Sequence, residues 1–258
     1  MSETCNQTPF WQRQPLLPIA IQTFLRERLE AALSGPAGRE ALVWPTILGA
    51  PRLREAHPEG LPEDQLLAHA ARMLASLGQT DPAGAWGAHR EAWPDTAEAG
   101  VTGWRPASAW GAWSPLVSLR SGWQLAALTP LPLDGRYPLA CGVSLFNHGL
   151  FHECHDALEP LWDGAGADLA DRLQGLILMA GGYHHLQLHN MEGLAALWSD
   201  AAARLEPLGG RVRTDWGEVD AEAALALTVR RLEVVREASG KPDPAELWAL
   251  DRPTWEMR

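Results

Sequence analysis

Four polar side chains in the second half of the chain have types and spacings that could do chemistry together. His155 and Glu159 are four residues apart, so their side chains lie on one face of a helix. Gln174 and His185 are eleven residues apart, which is three helical turns, so they also share a face. If the two helices pack against each other, we expect the four side chains to meet in one seam. Imidazole and carboxylate groups on facing helices are common metal ligands in helical bundles.

A metal site is the first interpretation of this set. His155, Glu159 and His185 would supply two nitrogen ligands and one oxygen ligand, a set with which catalytic zinc keeps a fourth position open. These three residues are therefore the candidate metal ligands and the candidate catalytic residues, with a divalent metal ion as the expected cofactor. Without a metal, a histidine tuned by a glutamate could act as a general base. The sequence contains neither a His-Glu-x-x-His motif nor paired Glu-x-x-His motifs.

The second interpretation is a buried hydrogen-bond network. Glutamine and glutamate can satisfy both ring nitrogens of a histidine, and such a network would fix the register of two apolar helices. Further polar residues belong to the same predicted cluster. Asn147 and Asn190 each lie where a helix meets a turn, where asparagine caps helices. Asp156 could pair with an arginine, and His148 and His152 extend the first row of the cluster.

The residues around the cluster have the apolar spacing of helices. Apolar residues that recur every three or four positions, ended by glycine or asparagine, predict helices over residues 139–147, 150–162, 168–188, 191–205 and 220–238. The first four make two units of helix, tight turn and helix, which resemble the hairpins of tetratricopeptide proteins. We therefore predict a mainly α fold, with a bundle of stacked helical hairpins over residues 136–240. Residues 241–258 are expected to form a C-terminal tail with one turn of helix.

Residues 1–135 have a less regular pattern and predict an N-terminal region of unknown type. Apolar spacing predicts helices over residues 18–33, 38–48 and 62–77. The stretch 79–109 is rich in Gly, Pro, Ala and Trp, and we expect it to be irregular. Two short apolar runs at 116–119 and 123–126 flank a Gly-containing segment, which fits either a short β-hairpin or a short extended chain packed over helices. Prolines and an Asp-Gly pair between residues 129 and 138 place the domain boundary there.

The net charge of the chain limits the classes of partner that we expect it to bind. The formal net charge is −11, from 21 basic and 32 acidic residues, and no run rich in lysine or arginine occurs. Binding to phosphates requires a basic surface, so the composition argues against nucleic acids and anionic membranes as partners. The longest apolar stretch, residues 173–183, is too short to span a bilayer. The first residues lack the pattern of a signal peptide, so we expect a cytoplasmic protein, and its composition is typical of a GC-rich bacterial genome.

One part of the sequence resembles a known family. Residues 145–162 read LFNHGLFHECHDALEPLW, and the segments 173–177 and 183–190 follow at a defined spacing. Together they resemble the signature of the family called domain of unknown function 309, over about residues 138–207. The resemblance implies a small helical bundle, and it implies no particular reaction.

The first motif of that family reads Phe-Asn, a Gly, then Ala-His-Glu, two residues, Glu and later Trp. His155, Glu159 and Trp162 match this pattern. Asp156 stands where the family usually has glutamate, which keeps the charge on a shorter side chain, and Cys154 replaces the usual alanine. Pro160 lies where the family has a helix former, so we expect a kink or an early helix end there.

Two functions follow from these observations. The hairpin repeat favours a non-enzymatic helical scaffold that binds a protein partner or self-associates as a homo-oligomer. The convergence of His155, Glu159 and His185 favours a metal-dependent, hydrolytic enzyme instead. The scaffold is the preferred prediction, because the sequence contains no complete catalytic motif.

Overall fold

The computed structural model describes residues 17–35, 37–57, 61–90, 103–104, 114–131, 134 and 137–258. These residues belong to two compact units, which we call the N-terminal unit (Leu17–Pro130) and the C-terminal unit (Leu131–Arg258). The described residues form twelve α-helices and two small antiparallel sheets, so the prediction of a mainly α fold is confirmed. None of the helices in the described ranges is long and apolar enough to cross a membrane.

The N-terminal unit is formed by short and medium-length helices around its own core. Its elements are α1 (Ile19–Leu33), a 3-10 helix (Ala37–Leu42), α2 (Val43–Leu48), α3 (Pro51–Ala56), β1 (Leu61–Pro62), α4 (Glu63–Ser76), α5 (Pro82–Arg90), β2 (Gly103–Trp104) and α6 (Ser114–Leu128). β1 and β2 pair antiparallel. In the core, the rings of Trp44 and Trp86 are almost fully buried, with centroids 4.9 Å apart.

The predicted β-hairpin at residues 116–126 is wrong, because these residues lie within α6. Several buried residues of α6 follow helical spacing, namely Val117, Ser121, Gln124, Leu125 and Leu128. Gly122, which the sequence placed in a turn, faces α2, and a Cβ atom there would lie 3.4 Å from Thr46 Cγ2. Gly122 therefore lies within a helix that packs on α2, and it does not mark a turn.

Two other expectations for this unit need correction. The stretch 79–109 was expected to be irregular, but its residues Pro82–Arg90 form α5. Residues 91–102 and 105–109 lie outside the described residues. The helix predicted over residues 38–48 is a 3-10 helix followed by α2, with Pro45 in the first turn of α2, where proline is tolerated.

The C-terminal unit contains the two predicted hairpins. Its elements are α7 (Tyr137–Asn147), α8 (Phe151–Asp163), α9 (Ala167–Gln187), α10 (Met191–Leu205), a 3-10 helix (Glu206–Leu208), β3 (Arg211–Thr214), β4 (Gly217–Asp220), α11 (Glu222–Glu237), α12 (Pro244–Trp248) and β5 (Glu256–Met257). Helices α7 and α8 form one hairpin, α9 and α10 form the other, and α8 packs against α9. The prediction of stacked helical hairpins is therefore confirmed.

The two hairpins turn in the same way. After α7, the N–H of Leu150 donates to the carbonyl of Leu145 at 3.0 Å, and Gly149 has a φ of 74°. After α9, the N–H of Asn190 donates to the carbonyl of His185 at 2.9 Å, and the preceding residue has a φ of 57°. Both are Schellman turns, in which a left-handed residue ends the helix. The similarity of the two segments in sequence thus has a structural basis.

The C-terminal unit also contains a three-stranded antiparallel sheet in the order β3-β4-β5. The sequence did not predict β3 and β4, although their alternate residues Val212 and Val219 are fully buried. The segment 241–258, expected as a tail, contains the predicted helical turn as α12 and adds β5 to the sheet. Its Trp255 is only 2% exposed, so the segment belongs to the core of this unit.

Pro160 does not end α8 early. The helix continues for three residues beyond it, to Asp163, and the N–H of Gly164 donates to the carbonyl of Pro160. Pro160 is exposed, so water can donate to the carbonyl of Asp156, to which a proline has no N–H to donate.

Candidate metal site

Four histidines form a row across the faces of α8 and α9. His155 and His152 of α8 have ring centroids 6.3 Å apart. The ring of His152 stacks on that of His184 of α9, with centroids 4.8 Å apart and planes inclined by 16°. His185 follows, with its ring centroid 6.3 Å from that of His184. We call these four residues the histidine row.

One end of the row carries a group of potential metal ligands, which we call the donor group: His152, His155 and Asp156. One ligand atom from each lies within 4.8 Å of the other two, and this is the one such group in the part of the chain that the structure describes. Asp156 Oδ1 is 3.3 Å from His155 Nδ1 and 3.7 Å from His152 Nδ1. The spacing i, i+3 and i+4 brings the three side chains to one helix face.

The donor group lies at the surface of α8. The side chains of His152, His155 and Asp156 are 38%, 33% and 14% exposed, and that of Glu159 is 52% exposed. The predicted buried network of His155 and Glu159 is therefore wrong. α8 buries its opposite face instead, through Phe151, Cys154, Leu158 and Leu161. Burial also raises the pKa of the Cys154 thiol, so this cysteine stays protonated and outside the metal chemistry.

The structure brings together only some of the predicted site residues. Glu159 Oε1 is 3.7 Å from His155 Nε2, so these two meet as expected. Gln174 lies ten residues before His184 in α9, which is about 15 Å along the helix axis, so it does not lie beside the histidine row. His185 lies at the other end of the histidine row from His155. A shared helix face therefore did not imply a shared position along the seam.

His185 packs against α10 rather than toward the donor group. Its Nδ1 is buried and has no hydrogen-bond partner among the described residues, and burial lowers its pKa. A Cβ atom at Gly193 of α10 would lie 2.1 Å from this nitrogen, so only glycine leaves room for the ring. Asn190 is the N-cap of α10, where its side chain accepts a hydrogen bond from the N–H of Gly193 at 3.0 Å.

Asn147 and His148 have structural contacts. The amide of Asn147 donates to the carbonyl of Trp255 and accepts from its N–H, both at 2.8 Å, so it holds the C-terminal segment like a strand partner. His148 Nδ1 donates to the carbonyl of Ser144 at 2.8 Å. Neither side chain belongs to the donor group.

His152 was predicted only as an extension of the cluster, and His184 was not among the predicted site residues. A signal for both was available, because six of the nine histidines fall between residues 148 and 189. The same part of the chain is acidic. From residue 137 to 203 the only lysine or arginine is Arg172, against eight acidic residues: Glu153, Asp156, Glu159, Asp163, Asp168, Asp171, Glu192 and Asp200. Such a distribution raises the local concentration of cations.

Asp156 affects the protonation of His155. Its carboxylate accepts a hydrogen bond from His155 and raises the pKa of that histidine above 6.5, while burial opposes the increase and Glu159 adds to it. Because the folded-state pKa is raised, the stabilisation from this pair is complete below pH 6.5 and is lost as the pH rises through the raised pKa.

We expect Asp156→Asn to lower the pKa of His155 in metal-free protein, and Glu159→Gln to lower it less. The hydrogen bond that His155 donates to Asp156 is the largest cause of the increase, whereas Glu159 acts only through its charge. Titration of the His155 ring proton by NMR, with a chelator present, measures both changes. A larger decrease in Glu159→Gln than in Asp156→Asn would contradict this assignment.

Comparison with known families agrees with the resemblance found in the sequence. Residues 139–197 match the family model described as Domain of unknown function (DUF309). The matched residues are less than a quarter of the chain, and they include the whole histidine row and the donor group. A search of curated proteins and a search of solved structures gave no match.

Proposed function

We propose that the C-terminal unit is a metal-binding helical module, and that it holds a divalent transition-metal ion through His152, His155 and Asp156. The observation that carries the proposal is the approach of two imidazole nitrogens and one carboxylate oxygen on a single helix face, all within 4.8 Å. Imidazole and carboxylate together suit zinc, iron, cobalt, nickel and copper, whereas magnesium and calcium prefer oxygen alone.

The distances support this set of ligands. Ligand atoms 2.0 to 2.2 Å from a tetrahedral zinc ion lie about 3.4 Å from one another. The separations of Asp156 Oδ1 from the Nδ1 atoms of His155 and His152 are 3.3 and 3.7 Å, so small side-chain rotations would suffice. The ion would take the place of the proton that now lies between Asp156 and His155, so metal binding would weaken as the pH falls.

Glu159 would support the site without being a ligand. When Nδ1 of His155 faces the ion, its Nε2 faces Glu159 Oε1, 3.7 Å away. A carboxylate that accepts the second N–H of a metal-bound histidine fixes the tautomer and orients the ring. The residue that the sequence predicted as a ligand thus acquires an orienting role in the proposed site.

The proposal is tested by metal content. We expect untagged protein, incubated with zinc and freed of excess ions, to hold about one zinc per chain by mass spectrometry, and His152→Ala/His155→Ala to hold none. The matched control is His57→Ala/His69→Ala, which removes two histidines of the N-terminal unit and should keep the zinc. The proposal fails if the unaltered protein binds no zinc, or if the first double variant binds as much as the control.

A further inference from the structure

The side of the donor group that faces α9 is occupied by His184. Its ring lies parallel to that of His152, with centroids 4.8 Å apart. Building on the proposed function, we infer that His184 is the fourth ligand of the ion, so that the site is a closed, four-coordinate one that joins α8 to α9.

The arrangement of the ligands supports this inference. His152, His155 and Asp156 all come from one helix face, so they can occupy only one side of an ion. Structural zinc sites are almost always completed by a fourth protein ligand, in a tetrahedron. His184 is the imidazole that the neighbouring helix holds against this group, and rotation of its side chain would bring a ring nitrogen toward the ion.

The position of His184 is well supported by its neighbours. Tyr183, the preceding residue, is fully buried, and its hydroxyl is 3.0 Å from Thr228 Oγ1. Its ring also packs edge-on against Trp198, with centroids 4.9 Å apart. These contacts fix the backbone of α9 at His184. A ligand on a rigid element loses less conformational freedom when the ion binds.

His184 would reach the ion by rotating out of its stack on His152, because the lone pair of each imidazole lies in the plane of its own ring and the two planes are inclined by only 16°. His185, the ligand expected from the sequence, lies nearly perpendicular to His184 at 88° and packs on Gly193 instead. The two adjacent histidines therefore have different roles.

A closed site has a functional consequence. With four protein ligands no coordination position is left for water or a substrate, so the ion would stabilise the packed helices rather than catalyse a reaction. This favours a metal-stabilised scaffold over a hydrolytic enzyme.

Cobalt binding to the full-length chain tests the inference, because four-coordinate cobalt(II) absorbs visible light far more strongly than six-coordinate cobalt(II). We expect strong visible bands from the unaltered protein and from His185→Ala. We expect the bands to shift and weaken in His184→Ala and in the larger His184→Gln, in which water can take the fourth position, and zinc to bind at least about tenfold more weakly in competition with cobalt. Circular dichroism of the metal-free variants checks that each is folded.

The outcomes separate this inference from the proposed function. If the unaltered protein binds neither cobalt nor zinc, the metal site itself is refuted. If it binds both, but the two His184 variants keep the same spectrum and affinity, only the fourth ligand is refuted. Loss of the bands in His185→Ala alone would assign the ligand to His185 and would also overturn the inference.

Discussion

Trp255→Ala is expected to destabilise the C-terminal unit by about 4 kcal/mol, since removing a buried tryptophan loses its apolar contacts and leaves a cavity. Trp255 is 2% exposed, and its ring stacks on Phe146 with centroids 3.8 Å apart and planes inclined by 7°. Its indole N–H donates to the sulfur of Met179 at 3.4 Å. The side-chain amide of Asn147 forms hydrogen bonds with both the N–H and the carbonyl of Trp255. The C-terminal segment is thus anchored at one ring.

Trp162→Ala is the matched control, because this tryptophan of α8 is 38% exposed. Hydrogen exchange across a urea series, read by mass spectrometry on peptides of α7 and α9, measures the C-terminal unit by itself. We expect a large shift of the urea midpoint for Trp255→Ala and a much smaller one for Trp162→Ala. Equal shifts would mean that Trp255 is not an anchor of this core.

Arg231→Ala should cost about 3 kcal/mol, because it leaves several buried acceptors without a donor. Arg231 of α11 is fully buried. Its Nε donates to the carbonyl of Leu247 at 3.1 Å, and its Nη2 donates to those of Leu250 and Asp251 at 3.2 and 2.7 Å. Its Nη1 donates to the hydroxyl of Tyr183 at 3.2 Å. One guanidinium therefore links α9 and α11 to α12 and to the residues that follow it.

The neighbouring Arg230 offers a control, since its side chain is exposed on the same helix. The same exchange measurement on α9 and α11 should show a lower urea midpoint for Arg231→Ala and an almost unchanged one for Arg230→Ala. The partners of Arg231 are oxygens of neutral groups, so its burial reflects hydrogen bonding rather than an ion pair. If both variants unfold at the same urea concentration, this hydrogen-bonding role is refuted.

These two predictions concern residues beyond the family match. The matched residues 139–197 end within α10, whereas Arg231 lies in α11 and Trp255 directly precedes β5. Phe146 and Tyr183, which lie inside the match, complete their contacts with those later residues. The stability of the bundle that positions the histidine row therefore depends on α11 and the C-terminal segment.

The sequence alone determined the helices of the C-terminal unit. Apolar residues at helical spacing and the residues that end helices placed α7 to α11 within a few residues of their bounds. The family resemblance followed from one long motif that includes His155 and Glu159. These features are local, because a helix forms its backbone hydrogen bonds within itself, and its buried stripe appears directly in the order of residues.

Only the tertiary structure decided which polar side chains meet. Helical periodicity gives the direction of a side chain around the helix axis, but not its level along a neighbouring helix, which depends on how the two surfaces pack. For this reason Gln174 was predicted in the cluster and is about 15 Å away from His184 along α9. The contact between His152 and His184 also depends on how α8 packs against α9. The spacing of residues within either helix therefore could not predict it. The buried packing of α6 on α2 likewise overrode the turn signal at Gly122.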